Sequence, residues 1–336
     1  MVGRPTYLEC RRALREHMPE LVPVWEQLAE LAGGGDVEAR FLSLWCPPAY
    51  IAGCSQTVWI DPQGRDEPAL LRNYDFAPAL LEGNWLATRW TGRRVAAMGD
   101  CLWGALDGVN EDGAAASLSF GGRTVAGIGF GIPLVLRYVL ETARNTAQAI
   151  AILQRVPVHM SYSVTLLDKA ADWATVFVGP DRPVEVTRRK AVTNYQRVIE
   201  WPEHARATRA YERLEAMERQ LDNRASAQTL TETLLADPLY QNAWARGYGT
   251  LYTACTARCP SASTCIGRAR SGRNRCAHSR KATTTSSTAL RRSRPRHFRR
   301  DPAQRPFPRI KAMRGSWRHN MNKKKIPPPP GSWSRW

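Results

Sequence analysis

Between Gln56 and Phe120 the chain is broken into short apolar runs by Gly, Pro, Asp and Asn. "QTVWI" is followed by the turn "DPQGRDEP" and then by "ALLRNYDF". "NWLATRW", "RVAAMG", "CLWGALDGV" and "AAASLSF" come next, with "DGVNEDG" (107–113) read as a tight turn. Runs of this length between turn formers are strands, and the first two make a hairpin. The clearest helix follows at 132–154, where Ile132, Val135, Leu136, Val139, Leu140, Ala143, Ala147 and Ile150 form one apolar face. Strands resume at "SYSVTLLD", "WATVFVG", "VEVTRR" and "AVTNYQ". Helices fit 204–221, through Ala207, Tyr211, Leu214 and Met217, and 226–236, before a last strand at 249–254. Strands that group, rather than alternate with helices, favour a layered α+β domain over a doubly wound parallel sheet.

The segment before the strands is helical. Leu21, Trp25, Leu28 and Leu31 keep helical spacing within residues 5–32. Pro19 and Pro23 divide that run into two short helices, and Gly33, Gly34 and Gly35 stop it. Pro47 and Pro48 then impose an extended approach to Cys54.

Charge separates the chain into two parts. Residues 1–250 carry 26 Lys and Arg against 29 Asp and Glu, the balance of an ordinary enzyme. Residues 251–336 carry 22 against one, so the whole excess behind the net charge of +18 lies there. From Cys255 onward no helical or strand period is visible, and the composition is that of a disordered tail. Its cysteines, Cys255, Cys259, Cys265 and Cys276, contain no CxxC pair, so no metal site is expected. No run of 18 apolar residues occurs and the start has no apolar leader, so the expected location is cytoplasmic, with no membrane partner.

Cys54 stands directly after Gly53 and directly before the first strand. A thiol is a useful nucleophile when a base lies close or its pKa is depressed. The histidines of the body, His17, His159 and His204, sit in no catalytic motif. A route without histidine exists: if the 53–54 peptide bond is cut, the new α-amino group of Cys54, with a pKa of roughly 7.7–8, serves as base. A small residue before the nucleophile is required, and Gly53 meets that.

"PPAYIAGCSQ", "LLRNYDF", "LDGVNEDGAAASLSF", "GFGIPLVLRYVLETARNTAQAIAIL", "VTLLD", "VGPDRP" and "AVTNYQ" occur in this order. Together they resemble the acyl-coenzyme A:6-aminopenicillanic acid acyltransferase family of N-terminal nucleophile hydrolases, relatives of choloylglycine hydrolases, over about residues 5–254. The resemblance implies a four-layer αββα sandwich made as a precursor. Residues 1–53 would be a helical pro-segment, removed or retained as a separate chain; 54–254 the catalytic core; 255–336 the basic tail. It implies attack of the Cys54 thiolate on a linear amide or a thioester, with no cofactor, and a small-molecule amide or acyl-coenzyme A as substrate. Asp75 matches the acid that holds the new amine. Arg72 matches the arginine beside the nucleophile, and Asn194 the oxyanion donor. Alternation along a strand puts Arg72 and Asp75 on opposite faces unless the strand bulges. Asn110 also fits the pattern but reads as structural. Where relatives carry a second oxyanion asparagine, this chain offers Ser117 and Ser119.

The bland alternatives are a packing thiol for Cys54, a surface acid for Asp75, a solvated charge or structural ion pair for Arg72 and a turn residue for Asn194. Cys46 and Cys101 read as packing residues, and Trp59, Trp85 and Trp90 as core or pocket wall. The resemblance ends at Cys255, where acids vanish and Arg, Ser, Thr and Pro rise together; this reads as a shifted reading frame in a GC-rich gene. A non-catalytic protein of the same fold, or a nucleic-acid binder acting through its tail, are the competing classes. The tail carries no recognition fold, which speaks against nucleic acid.

Overall fold

The punctuated runs form two antiparallel sheets. This computed structural model describes residues 4–257. They lie within one unit, Met1–Cys276; a second, Ala277–Trp336, and the basic tail from residue 258 fall outside the described residues. One sheet has four strands: β1 (Gly53–Trp59), β2 (Ala69–Phe76), β10 (Ala191–Val192) and β11 (Gly249–Ala257), in the order β10-β1-β2-β11. The other has seven in sequence order: β3 (Trp85–Thr88), β4 (Val95–Asp100), β5 (Gly104–Asn110), β6 (Ala115–Phe120), β7 (Tyr162–Leu167), β8 (Trp173–Val178) and β9 (Glu185–Thr187). β1 and β2 are the expected hairpin, with Cys54 opposite Tyr74 and Gln56 opposite Arg72.

The two sheets face one another through β1 and β2 against β6 and β7. Helices α4 (Ile132–Thr142) and α5 (Thr146–Arg155) pack on the large sheet, and α7 (Ala210–Asp222) and α8 (Ala227–Leu234) on the small one. Strand alternation sorts the hairpin accordingly. Val58 and Leu70 meet Ala115 and Leu167 between the sheets, while Trp59 and Leu71 meet Leu214, Met217, Leu230 and Leu234 under the helices. Both faces are covered, so β1 is buried along its whole length.

Three earlier segments, α1 (Tyr7–His17), α2 (Val22–Leu31) and α3 (Asp36–Leu42), belong to the same core. Leu14, Met18, Leu21 and Trp25 are wholly buried in the cluster that holds Cys54, Phe130 and Leu134. Trp103 donates its indole N–H to Leu42 O at 2.9 Å, and Tyr138 its hydroxyl to Glu20 at 2.7 Å.

Several expected boundaries are corrected. Pro19 does interrupt the first helical run, through a single 3-10 turn, but Pro23 sits in the first turn of α2, where a missing N–H costs nothing. The segment 132–154 is two helices, not one. Asn145 caps α5 by accepting from Gln148 N, and Asn110 closes α4 by donating to Leu140 O at 2.9 Å and Ala143 O at 2.7 Å. The run 204–221 is α6 (Pro202–Ala207) and α7, parted at Arg209, whose φ of 52° breaks the helical path. The buried face of α7 is Ala210, Arg213, Leu214 and Met217; Tyr211 is exposed. "DGVN" ends β5, and only Asn110–Gly113 turns, so Asp107 is a strand residue. Trp85 is exposed rather than in the core.

Candidate active site

Cys54 lies on β1 with none of its surface exposed. Its side chain points between the sheets, and its backbone faces the bend after β10 and helix α7. Two groups of polar residues meet it, one on each side.

Between the sheets, Arg72 reaches across from β2. Its Nη2 donates to the Cys54 sulfur at 3.1 Å, and its Nη1 donates to Asp107 Oδ2 and to Leu106 O, both at 2.7 Å. The guanidinium lies over the rings of Tyr74 and Tyr252, whose hydroxyl donates to the same Asp107 oxygen. Burial pushes the Cys54 thiol up; Arg72 pulls it back, and the charge of Asp75 adds to the rise. Burial likewise raises Asp107, opposed first by Arg72 and then by the Tyr252 hydroxyl. Arg72 is thus both an ion-pair member and the neighbour of the thiol.

On the other side, Cys54 N donates to Asn194 Oδ1 at 3.1 Å, and Asn194 Nδ2 donates to Ala52 O at 3.2 Å and Phe120 O at 3.3 Å. Donors on one end of the amide and carbonyls on the other fix its orientation. Arg213 binds the group together. Its Nη1 donates to Cys54 O at 2.9 Å, Ser55 Oγ at 2.8 Å and Asp75 Oδ2 at 3.0 Å, and its Nη2 donates to Asn194 Oδ1. Asp75 also accepts from Thr250 Oγ1 at 2.7 Å. Burial raises the Asp75 carboxyl, with Arg213 the main opposing charge.

Arg72 and Asp75 therefore stand on opposite faces of β2, as alternation requires. Arg72 touches the thiol; Asp75 connects to Cys54 through Arg213. Asp75 is fully buried, not a surface acid. Ser117 and Ser119 are not brought to Cys54. Ser117 donates to Gln56 Oε1 at 2.6 Å, and Ser119 accepts from Gln56 Nε2 at 3.3 Å.

Two site residues escaped the sequence reading, Arg213 and Asp107. The signal for Arg213 was present: positions 210, 213, 214 and 217 share one helical face, and a charge among them is a charge facing the core. Asp107 was hidden inside a segment read as a turn.

Gly53 has a local reason of its own. A Cβ there would stand 1.7 Å from the Tyr248 hydroxyl and 3.1 Å from Asp75 Cβ. The Tyr248 hydroxyl is itself buried and has no hydrogen-bond partner. Gly53→Ala should force Tyr248 aside and lower stability by about 1–3 kcal/mol, the cost of overpacking. Adding Tyr248→Phe removes the clashing oxygen and leaves a ring carbon 2.9 Å away, so part of the stability should return. Urea unfolding of both variants checks this.

Among the described residues no group of His, Cys, Asp and Glu could hold a metal ion, and no helix is long and apolar enough to cross a membrane.

The family described as "Acyl-coenzyme A:6-aminopenicillanic acid acyl-transferase" matches residues 62–265, more than half of the chain, and the chain belongs to that family. The match begins after Cys54 and runs past residue 255, so the likeness does not stop at Cys255. Among solved structures the chain is similar to a Caenorhabditis elegans N-acylethanolamine-hydrolyzing acid amidase ortholog, at 14% identity and a TM-score of 0.47, over 60% of this chain and 92% of that one. It is similar to a penicillin V acylase from Agrobacterium tumefaciens at 16% identity and a TM-score of 0.41, over 60% and 79%. It is also similar to a conjugated bile acid hydrolase from Clostridium perfringens at 15% identity and a TM-score of 0.31, over 47% and 57%. No curated protein matches.

Proposed function

We propose that this chain is a self-processing cysteine amidase or acyltransferase that opens linear amides, or acyl thioesters, through an acyl-enzyme on Cys54. The observation that carries the reading is the setting of one residue. The Cys54 sulfur lies 3.1 Å from the Arg72 guanidinium, its amide N–H lies on Asn194, and the glycine before it fits where nothing larger would. Membership of an acyl-transferase family supports the same chemistry.

In self-cleavage the sulfur attacks the Gly53 carbonyl carbon. The Gly53–Cys54 C–N bond breaks, and the departing nitrogen, now the Cys54 amine, takes the thiol proton. Water then hydrolyses the Gly53 thioester, which gives a Gly53 carboxylate and restores the thiol. In turnover the free amine is the base: it takes the thiol proton, the sulfur attacks the substrate carbonyl, and the proton passes to the leaving amine. Water or another amine then takes the acyl group. Once Ala52 departs, Asn194 Nδ2 loses a carbonyl partner and can donate to the oxyanion, an interaction worth roughly 3–4 kcal/mol in the transition state. Arg213 holds the other end of that amide, and Asp75 balances the charge of Arg213 and of the new ammonium. A cytoplasmic location and acyl-coenzyme A as a possible acyl donor belong to this same reading.

The test is the intact mass of purified, folded protein. Two pieces, 1–53 and 54–336, are expected. They should elute together from a sizing column and separate only in denaturant, because α1 and α2 bury Leu14, Met18, Leu21 and Trp25 in the shared core. Folded protein that keeps residues 53 and 54 joined yet still turns over amides would overturn the reading.

A further inference from the structure

Cys54 is wholly buried, so no substrate reaches its sulfur while the chain is intact. Any substrate must use space that is now filled, and the segment whose end cleavage frees is 47–53. Within it Tyr50 has the most specific seat. Its hydroxyl lies 2.7 Å from the Tyr74 hydroxyl and donates to Asp100 Oδ2 at 2.6 Å. Its ring tilts against Phe76 with centroids 5.8 Å apart, and its backbone carbonyl accepts from Tyr162 at 2.9 Å. These partners sit on strands of both sheets, and Tyr74 is the residue opposite Cys54 in the hairpin. The seat is therefore built by both sheets, includes the residue that pairs with Cys54, and does not depend on the segment that fills it.

We propose, resting on the self-processing reading above, that the seat vacated by Tyr50 is the acyl subsite of the mature enzyme and that it takes a phenolic aryl-acyl group. In self-cleavage, residues 47–53 are the acyl side of the bond that the sulfur breaks. A substrate acyl group becomes bonded to the same sulfur and inherits the same space. Tyr74 and Phe76 supply the walls for a flat ring. Asp100, 5% exposed, supplies an acceptor at the far end; it keeps the Cys101 backbone N–H but loses its Tyr50 donor when Tyr50 leaves. A phenol restores that bond, a plain phenyl ring does not, and an aliphatic chain loses the ring contact as well. Sites built around a buried polar partner discriminate against analogues that lack the matching group.

The experiment compares 4-nitroanilides of 4-hydroxyphenylacetic, phenylacetic, 3-(4-hydroxyphenyl)propanoic and hexanoic acids on the cleaved wild-type enzyme. The better of the two phenolic acyl groups is expected to exceed both phenylacetyl and hexanoyl by about tenfold or more in kcat/KM. Asp100→Ala should shrink the advantage of the hydroxyl toward unity. A measurement independent of that variant's folding is protection of Cys54 from alkylation, in which 4-hydroxyphenylacetate should outperform phenylacetate. Equal rates with and without the hydroxyl, a preference for hexanoyl, or a cleaved chain that cuts none of the four overturns the subsite. A folded chain that stays joined at 53–54 instead overturns the parent reading, so the two failures are distinguishable.

Discussion

Cys54→Ala is expected to yield a single full-length mass and no amide turnover, while folding as well as the wild-type precursor. The substitution removes one buried sulfur and leaves the backbone free to keep its place in β1. Such a truncation costs about 1 kcal/mol, an effect of a few degrees in Tm. Arg72 loses one contact but keeps Asp107 and Leu106 O. The chemical effect is of a different order, because alanine carries no nucleophilic atom where the proposed mechanism needs the sulfur. Cys54→Ser keeps a nucleophilic atom whose proton is far less acidic, so slow, incomplete cleavage is expected. Intact mass over hours, read beside thermal unfolding, separates a chemical loss from a folding loss. Appearance of the 54–336 fragment in the alanine variant would mean that the thiol is not the nucleophile.

Much of the scaffold was legible because its signals are local. Gly, Pro and Asp mark most of the turns between the strands, and Gly53–Cys54 at the start of a strand singled out a candidate residue without any neighbour in view. What escaped was set by tertiary geometry. The apolar period of 132–154 continues through Ala143 and Ala147, so nothing in the pattern ends the helix; an asparagine cap and a distant Asn110 do. Asp107 lay in a turn-like string, yet its side chain closes an ion pair from a strand. Arg213 sits on a helix, where a charged residue reads as solvated by default. Its partners, Asp75 and Asn194, are 138 and 19 residues away, and no spacing rule connects them. Ser117 and Ser119 were candidates by proximity in sequence to "SLSF", but the sheet turns both toward Gln56.

Arg72→Ala is expected to lower stability by about 3–5 kcal/mol, the cost of stripping one partner from a buried ion pair. Arg72 and Asp107 have side chains 1% and 2% exposed, so water cannot replace the lost charge. Asp107→Ala should do similar harm, because it leaves the guanidinium with a thiol and a single carbonyl. The double variant Arg72→Met/Asp107→Leu removes both charges and fills the space with apolar atoms; it should recover most of the stability, since buried pairs replaced by hydrophobic groups are often neutral. Self-cleavage should not recover with it, for the sulfur then loses the one cation that donates to it and keeps only Arg213, on the backbone side, to oppose burial. Urea unfolding in the Cys54→Ala chain measures the stabilities on one covalent species, and cleavage kinetics in the Cys54 chain measure the chemistry. The pH dependence carries a sign of its own. With Arg72 gone, the folded-state pKa of Asp107 must lie well above the roughly 3.9 of an unfolded aspartate, because burial disfavours its charge. The Arg72→Ala deficit should therefore be small below about pH 4 and grow as pH rises toward the folded-state pKa. A deficit that does not change with pH, or a double variant no more stable than the singles, would show that the pair is not an isolated charge couple holding Arg72 against the sulfur.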